Sequence, residues 1–409
     1  MAKDNLYVGL DVGSTKVAAC CGEISEGIIN VTGYVKVPNH GVRKGTVVDV
    51  EDTISAISEA VEKLETTSGR EIRSVVVGIS GSHIATGISK GVVAIARADG
   101  EISPSDVARV LEASKTVALP PNRQIIHIVP RTYTVDGQGG IDDPVGMTGI
   151  RLEVEVLVIS GAISAIKNLT KCVYQAGLEI DDLVLAPLAT AQSMISKKQK
   201  EIGVGLIDIG GGTTSLVIFE EGNILHATIL PIGSSLITND LAIGLRTSVD
   251  IAEKIKIKYA SAIPEKIRES ELISLNQFDP GETQRIERKY VSEIVQARLG
   301  EIFAMLSAEL KKVGKDGMLP AGVVLTGGGS KLEDLVEATK EEMRLPAELG
   351  KQNFEMGGFV DNLLDPMYAT SVGLMLYSFE NAEKKGYAGS TIGGGVVGKA
   401  KNFFKQFLP

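Results

Sequence analysis

The chain has 409 residues, 44% of them hydrophobic, with a formal net charge of −9. Its length exceeds one ordinary core and predicts two domains of about two hundred residues each; the acidic balance, with no basic stripe outside the tail, excludes a general nucleic-acid role, because phosphate backbones are held by clustered Lys and Arg. The opening MAKDNLYVGLDVG is not a signal peptide and no run reaches eighteen apolar residues, so a cytoplasmic protein that does not span the membrane is expected, while Cys20, Cys21, Cys172 and four scattered His make neither a disulfide framework nor a zinc site.

In chain order, the apolar run at 6–10 reads as a buried strand, GLDVGSTK at 9–16 as a glycine turn, and 17–19 as the returning strand of a hairpin. A strand at 27–37, a helix at 52–68 and a strand at 74–79 follow. From 85 to 162 the pattern becomes a smaller unit: a strand at 91–96, a helix with Ser103 as cap and Pro104 in its first turn running to 118, and strands at 125–135 and 152–160. An elaborated lid is the other reading of this segment. Helices at 165–176 and 186–194 lead to the second half, which repeats the opening with an apolar run at 204–209, the turn LIDIGGGTT at 206–214 and a return strand at 216–219. After a strand at 224–230, residues 233–314 are mostly helical, at 238–245, 249–260 and 284–312; in the last, Val291, Ile294, Val295, Ile302, Phe303, Leu306 and Leu310 make a core-facing stripe. VVLTGGGSKLEDL at 323–335 reads as a strand, a triple-glycine turn and a helix capped by Ser330.

The two hairpins carry the chemistry. Gly13, and Gly210, Gly211 and Gly212, let backbone N–H groups approach phosphate oxygens, and Ser14, Thr15, Thr213 and Thr214 supply hydroxyls. Asp11 and Asp208 would face the same phosphates from opposite sides, which requires a hard cation between them, Mg²⁺ held largely through water; Lys16 adds a point charge for a phosphate oxygen. The bare backbone at Gly327, Gly328 and Gly329 can lie flat against a purine or ribose.

The chain's end changes character. After Glu383, KKGYAGSTIGGGVVG reads as a flexible linker. In the final GKAKNFFKQFLP, Phe403, Phe404, Phe407 and Leu408 share one helical face, with Lys399, Lys401 and Lys405 on the remainder, the pattern of an interfacial helix that binds anionic membrane lipids. Such an anchor is marginal for one chain and strong for an array, which favours polymerisation. A docked terminal helix is the alternative.

The order hairpin, hairpin, strand and turn resembles the actin, Hsp70 and sugar-kinase ATPase superfamily, with phosphate loops at 9–16 and 206–214, an adenosine loop at 323–335 and connecting helices at 186–194 and 366–376. Within it, RKGTVVDVEDTISAI at 43–57, GSSLITNDLAIGLRTSVDIAEKIK at 233–256 and the tail resemble the FtsA family, actin-like membrane anchors of the tubulin-like division protein FtsZ. The resemblance implies an α/β, actin-like ATPase fold: two RNase H-like domains around a nucleotide cleft, an inserted small α+β subdomain and a C-terminal amphipathic helix. The implied parts are 1–84 with 163–199 (subdomain 1A), an inserted βαββ unit at 85–162 (1C), 200–232 with 315–382 (2A), 233–314 (2B), a linker at 383–397 and the membrane helix at 398–409. It implies ATP and Mg²⁺ as cofactors, Lys331 in the adenosine loop, and Glu253 with Lys256 as a ribose-contacting pair, against the plainer reading of an exposed salt bridge. It also implies filaments of the chain with itself, other division proteins met through 85–162, and the FtsZ C-terminal peptide on 233–314. There Arg285, Arg288, Lys289 and Arg298 are candidates for its acidic residues, or simply a solvated helix face. A small-molecule kinase needs an acceptor-side carboxylate base that no motif supplies, and the related pilus adaptor is not expected to carry such a tail. With no residue marked for positioning water, no catalytic residue is assigned and any ATP turnover is expected to be slow or conditional.

Overall fold

The computed structural model describes residues 6–25, 28–116, 119–352, 356–358 and 361–387. The amphipathic stretch at 398–409 lies outside the described residues, so its membrane-facing side chains from Lys399 to Leu408 have no structural account. β1 (Leu6–Val12), β2 (Lys16–Ser25) and β3 (Ile28–Pro38) form an antiparallel meander. A two-residue hairpin, β4 (Val42–Arg43) with β5 (Thr46–Val47), precedes α1 (Val50–Ser68). Asp49 caps α1 by accepting the Asp52 N–H at 3.0 Å, and Gly69, at φ 67, ends it in the left-handed conformation. β6 (Ser74–Ile79) then runs parallel to β1.

The insertion comprises β7 (Ala85–Ala94), α2 (Pro104–Ser114), β8 (Arg123–Val135), β9 (Gln138–Ile141) and β10 (Arg151–Ala162), in one sheet of order β7-β10-β8-β9. It has one strand more than βαββ, because the chain doubles back at Asp136 and Gly137, both at positive φ, into a short partner for β8. The helix starts as expected at Pro104, where the Ser103 N–H donates to Asp106 Oδ2 at 2.9 Å. α3 (Ile163–Gln175), β11 (Glu179–Leu185), α4 (Ala186–Met194) and α5 (Lys197–Ile202) lead to the second half.

There β12 (Val204–Ile209), β13 (Thr214–Glu220) and β14 (Asn223–Leu230) repeat the meander. α6 (Ser234–Leu245), α7 (Val249–Tyr259), a small hairpin of β15 (Leu272–Ser274) with β16 (Arg285–Glu287), and α8 (Arg288–Lys312) follow; the long helix begins later than 284 because β16 occupies that stretch. β17 (Val323–Thr326), α9 (Leu335–Met343), β18 (Ala347–Leu349), β19 (Met356–Gly358) and α10 (Ala369–Tyr387) complete the chain, α10 running into the stretch read as linker. Ser330 caps no helix: its hydroxyl donates to Gly327 O at 2.8 Å inside a 3₁₀ turn, and α9 opens only at Leu335.

The two main sheets have orders β11-β6-β1-β2-β3-β19 and β14-β13-β12-β17-β18. Apart from β19, each is a three-strand meander with two parallel strands added beside its first member, so the sequence repeat is a structural repeat. α4 and α10 pass between the sheets, close enough that a Cβ on Gly373 would stand 1.9 Å from Ala189 O. One buried cluster joins Leu188 and Leu374 of these helices to Leu206, Phe219 and Val324 of the second sheet.

Candidate functional site

Both hairpin tips are built alike. The Gly13 N–H donates to Lys16 O at 2.9 Å, and the Gly210 N–H to Thr213 O at 2.9 Å. The tips face each other across a cavity of about 770 Å³, in the size range of small-molecule and cofactor sites. A Cβ on Gly211 would lie 2.4 Å from Thr15 Cγ2, and one on Gly212 2.5 Å from Ser14 Oγ. These glycines therefore serve first to let the two tips meet, a reason additional to phosphate approach. Ser14 Oγ also accepts the Gly45 N–H at 3.0 Å, and the N-terminus of α6 donates from Ser234 and Ser235 to the carbonyls of Gly210 and Gly211, both at 2.9 Å.

The structure brings together on the cavity wall Asp11, Gly13, Ser14, Thr15 and Lys16 from the first hairpin and Asp208, Gly210, Gly211, Gly212 and Thr213 from the second. Thr214 is the exception. It opens β13, is fully buried, and pairs with Ile209, so the pleat sets it on the sheet face opposite to its neighbour Ser215, which does line the cavity.

At the floor, Lys16 Nζ lies 3.4 Å from Asp11 Oδ2. Burial, and secondarily the Asp11 carboxylate, push Asp208 up to about 6, against the opposing pull of Lys16. Two carboxylates facing one cavity, one of them disfavoured as an anion, suit a divalent cation that would offset both. A donor set of two carboxylates fits a cation that keeps most of its water, as Mg²⁺ does; among the described residues no group of three or more His, Cys, Asp or Glu could hold a metal.

Glu253 and Lys256 line the cavity from α7. They do form a salt bridge, at 2.7 Å, exposed at one end only: the Lys256 side chain is 11% accessible against 43% for Glu253, and Lys256 Nζ also donates to Thr238 Oγ1 at 2.8 Å and Ser234 O at 3.3 Å. Thr238, whose hydroxyl donates to Glu253, Met367 and Thr370 line the same space. Sequence reasoning missed these three as site residues, although 238 lies within a stretch that carries the family resemblance. Gly327, Gly328, Gly329 and Lys331 close the far wall. A Cβ on Gly328 would meet nothing nearer than Met367 Cγ at 3.5 Å, so this residue presents open backbone to the cavity; Gly329 is already tight against Ile209. Lys331 is paired to Asp365 at 2.8 Å.

The four basic partner candidates do not form one free surface. Arg298 clamps Asp240 of α6 through Nε at 2.6 Å and Nη2 at 2.9 Å. Arg288 donates to Tyr259 O at 2.8 Å and Glu271 at 3.0 Å, and pairs with Glu333. Both are internal fasteners, because guanidinium groups in half-buried places are drawn to nearby carboxylates. Lys289 is 3.6 Å from Glu269, and Arg285 is exposed on β16.

Comparison with known proteins agrees with this architecture. The family described as cell division protein FtsA matches residues 205–373, and the SHS2 domain inserted in FtsA matches 81–160. The chain is 40% identical over 376 residues to the cell division protein FtsA of Pseudomonas aeruginosa, covering 92% of this chain and 89% of that one. The chain belongs to the FtsA family of cell division proteins. The Bacillus subtilis member is 34% identical over 386 residues, covering 94% and 86%. Among solved structures, a chain of the PilM–PilN type IV pilus biogenesis complex superposes with a TM-score of 0.67 at 18% identity, over 91% of this chain and 98% of that one. MreB5 of Spiroplasma citri bound to AMPPNP gives 0.55 at 12%, over 95% and 100%. The fold shared by this FtsA-family chain is thus the actin-like ATPase fold with the family's insertion. Among the described residues no helix is long and apolar enough to cross a membrane.

Proposed function

We propose that this chain is an ATP-binding, self-polymerising adaptor that holds FtsZ filaments on the cytoplasmic face of the membrane at the division site. The observation that carries the reading is the pair of hairpin tips with Asp11 and Asp208 on one cavity, in a chain of the FtsA family. Nucleotide in that cavity is supported by the N–H groups of Ser14, Thr15, Gly211 and Gly212, which find no acceptor among the described residues, and by an actin-like neighbour whose structure holds AMPPNP. Asp11 and Asp208 would hold Mg²⁺ through its water, Lys16 would meet a phosphate oxygen, Glu253 and Lys256 the ribose, and Gly328 the purine. Bound Mg²⁺ supplies charge neutralisation between phosphate and carboxylate. We assign 85–162 to contacts with other division proteins and 233–314 to the FtsZ C-terminal peptide, with Arg285, exposed on β16, and the partly accessible Lys289 as its basic contacts. Membrane attachment rests on the sequence of 398–409.

Pelleting with anionic liposomes tests the reading. Full-length protein with Mg·ATP should bring FtsZ down with the vesicles, Phe404→Glu should lower vesicle binding at least tenfold, about 1.4 kcal/mol, and nucleotide affinity should be unaffected by that substitution. Vesicle binding untouched by Phe404→Glu, with a lowered melting temperature, would make the tail a docked structural helix and remove the anchor.

A further inference from the structure

β17 ends beside Asp208 with a hydroxyl that the fold does not use. Thr326 is fully buried, and among the described residues its Oγ1 has no hydrogen-bond partner. Thr326 lies in register with Asp208 across the parallel β12–β17 pair, and Asp208 with Ser215 across β12–β13. Residues in register share a face of the sheet, so Thr326, Asp208 and Ser215 form one row over three adjacent strands. Two members of that row, Asp208 and Ser215, line the cavity. The carboxylate already leans toward β17: a Cβ on Gly327 would stand 2.2 Å from Asp208 Oδ1.

We propose that Thr326 is a positioning residue for Asp208: when a cation and nucleotide occupy the cavity, its hydroxyl donates to the Asp208 carboxylate and holds it aimed at the cation's water. The inference rests on the Mg·nucleotide reading of the cavity. Neighbouring strands lie about 4.8 Å apart, and a rotamer change of Asp208 or Thr326 brings hydroxyl and carboxylate within hydrogen-bond reach without moving backbone. Such a charge-assisted bond is stronger than a neutral one. Among the described residues the same hydroxyl is buried with no protein partner, which is unfavourable. An acceptor supplied by Asp208 would relieve that cost, so removing the hydroxyl should not lower the melting temperature of the chain alone but should weaken its binding of Mg·ATP.

The test is calorimetric titration of ATP into wild type, Thr326→Val and Thr326→Ser, each with Mg²⁺ and with EDTA, alongside melting of the nucleotide-free proteins. Thr326→Val keeps the shape and removes the donor. It should melt at or above the wild-type temperature, bind ATP in EDTA like wild type, and lose roughly tenfold in affinity with Mg²⁺, a loss typical of one charge-assisted bond; Thr326→Ser should restore most of the loss. Wild-type Mg²⁺ dependence in Thr326→Val would overturn the proposal. So would an equal loss with and without Mg²⁺, or a Thr326→Val chain that melts several degrees lower or does not fold, since the hydroxyl would then already be serving the nucleotide-free fold. Failure of wild type to bind ATP in either condition would instead sink the reading of the cavity.

Discussion

His127 shows how one buried side chain ties the insertion to the first half. It sits on β8, and its Nε2 accepts the Leu185 N–H at 2.9 Å, which requires an unprotonated nitrogen there. Burial pulls its pKa down to about 4, with Asp182 opposing. The unfolded chain, with an ordinary His near 6.5, therefore takes up the proton first as pH falls. His127 adds no pH dependence above about 6.5, and stability is lost progressively from there down to about 4, amounting to about 2 kcal/mol by pH 5. His127→Gln keeps an acceptor for Leu185 and cannot titrate. Urea unfolding at pH 7.5 and pH 5 should show wild type losing more stability between the two than the variant. Equal losses would mean that the His127 site does not reject the proton. The carboxylate of Asp208 adds a companion expectation: Asp208→Ala should weaken Mg·ATP binding more than metal-free ATP binding, measured by the same titration, because the carboxylate acts through the cation. Equal weakening would remove its metal role.

At the scale of elements, the clamp of Arg298 on Asp240 joins α8 to α6, with the two side chains 22% and 26% accessible. In a double-mutant cycle on chemical unfolding, Arg298→Ala and Asp240→Ala should couple by about 1–2 kcal/mol, the range for a partly buried bidentate pair. Arg285→Glu should cost under about 0.5 kcal/mol, as exposed substitutions do, while weakening FtsZ-peptide binding in a salt-dependent way. A coupling near zero would return Arg298 to the free surface. This difference between arginines was not legible in the sequence, because each one's partner comes from a distant element. The hairpins were legible, since apolar runs broken by a glycine turn are local signals, and so were the tip residues Asp11, Gly13, Ser14, Thr15 and Lys16, and Asp208, Gly210, Gly211, Gly212 and Thr213, which line the cavity. Thr214 was misjudged because only the register decides which of two adjacent threonines faces the cavity. The capping role given to Ser330 failed for a similar reason: Ser-x-x-x before an apolar run resembles a helix start, whereas the actual Asp334 before α9 is at φ 62 and spends its carboxylate on Ser261 and Lys266.

Over the whole molecule, the insertion is not attached to the first half alone. Val129 and Leu157 from the insertion's sheet, and Ile159 beside them, belong to the same buried cluster as Phe219, Ile224, Ala227 and Ile229 of the second half, and Thr86 Oγ1 donates to Ala227 O at 3.0 Å. The cluster continues through Leu188 of α4 and Leu374 of α10, the helices whose neighbouring residues line the cavity. A contact of this kind makes β14 and the insertion's sheet one cooperative unit, since neither can open without exposing the other's apolar face. Leu157→Ala removes a side chain that is 2% accessible and should cost about 2–5 kcal/mol, as deletions in packed cores do. Its more telling effect is spatial: hydrogen exchange should speed up together in residues 223–230 and in 151–162, while the α8 helix, whose buried residues belong to a cluster that takes only Leu230 from β14, changes less. If 151–162 loosens and 223–230 keeps its protection, the insertion is an independent module resting on the second half, and signals between the cavity and its outer partners would have to travel by another route.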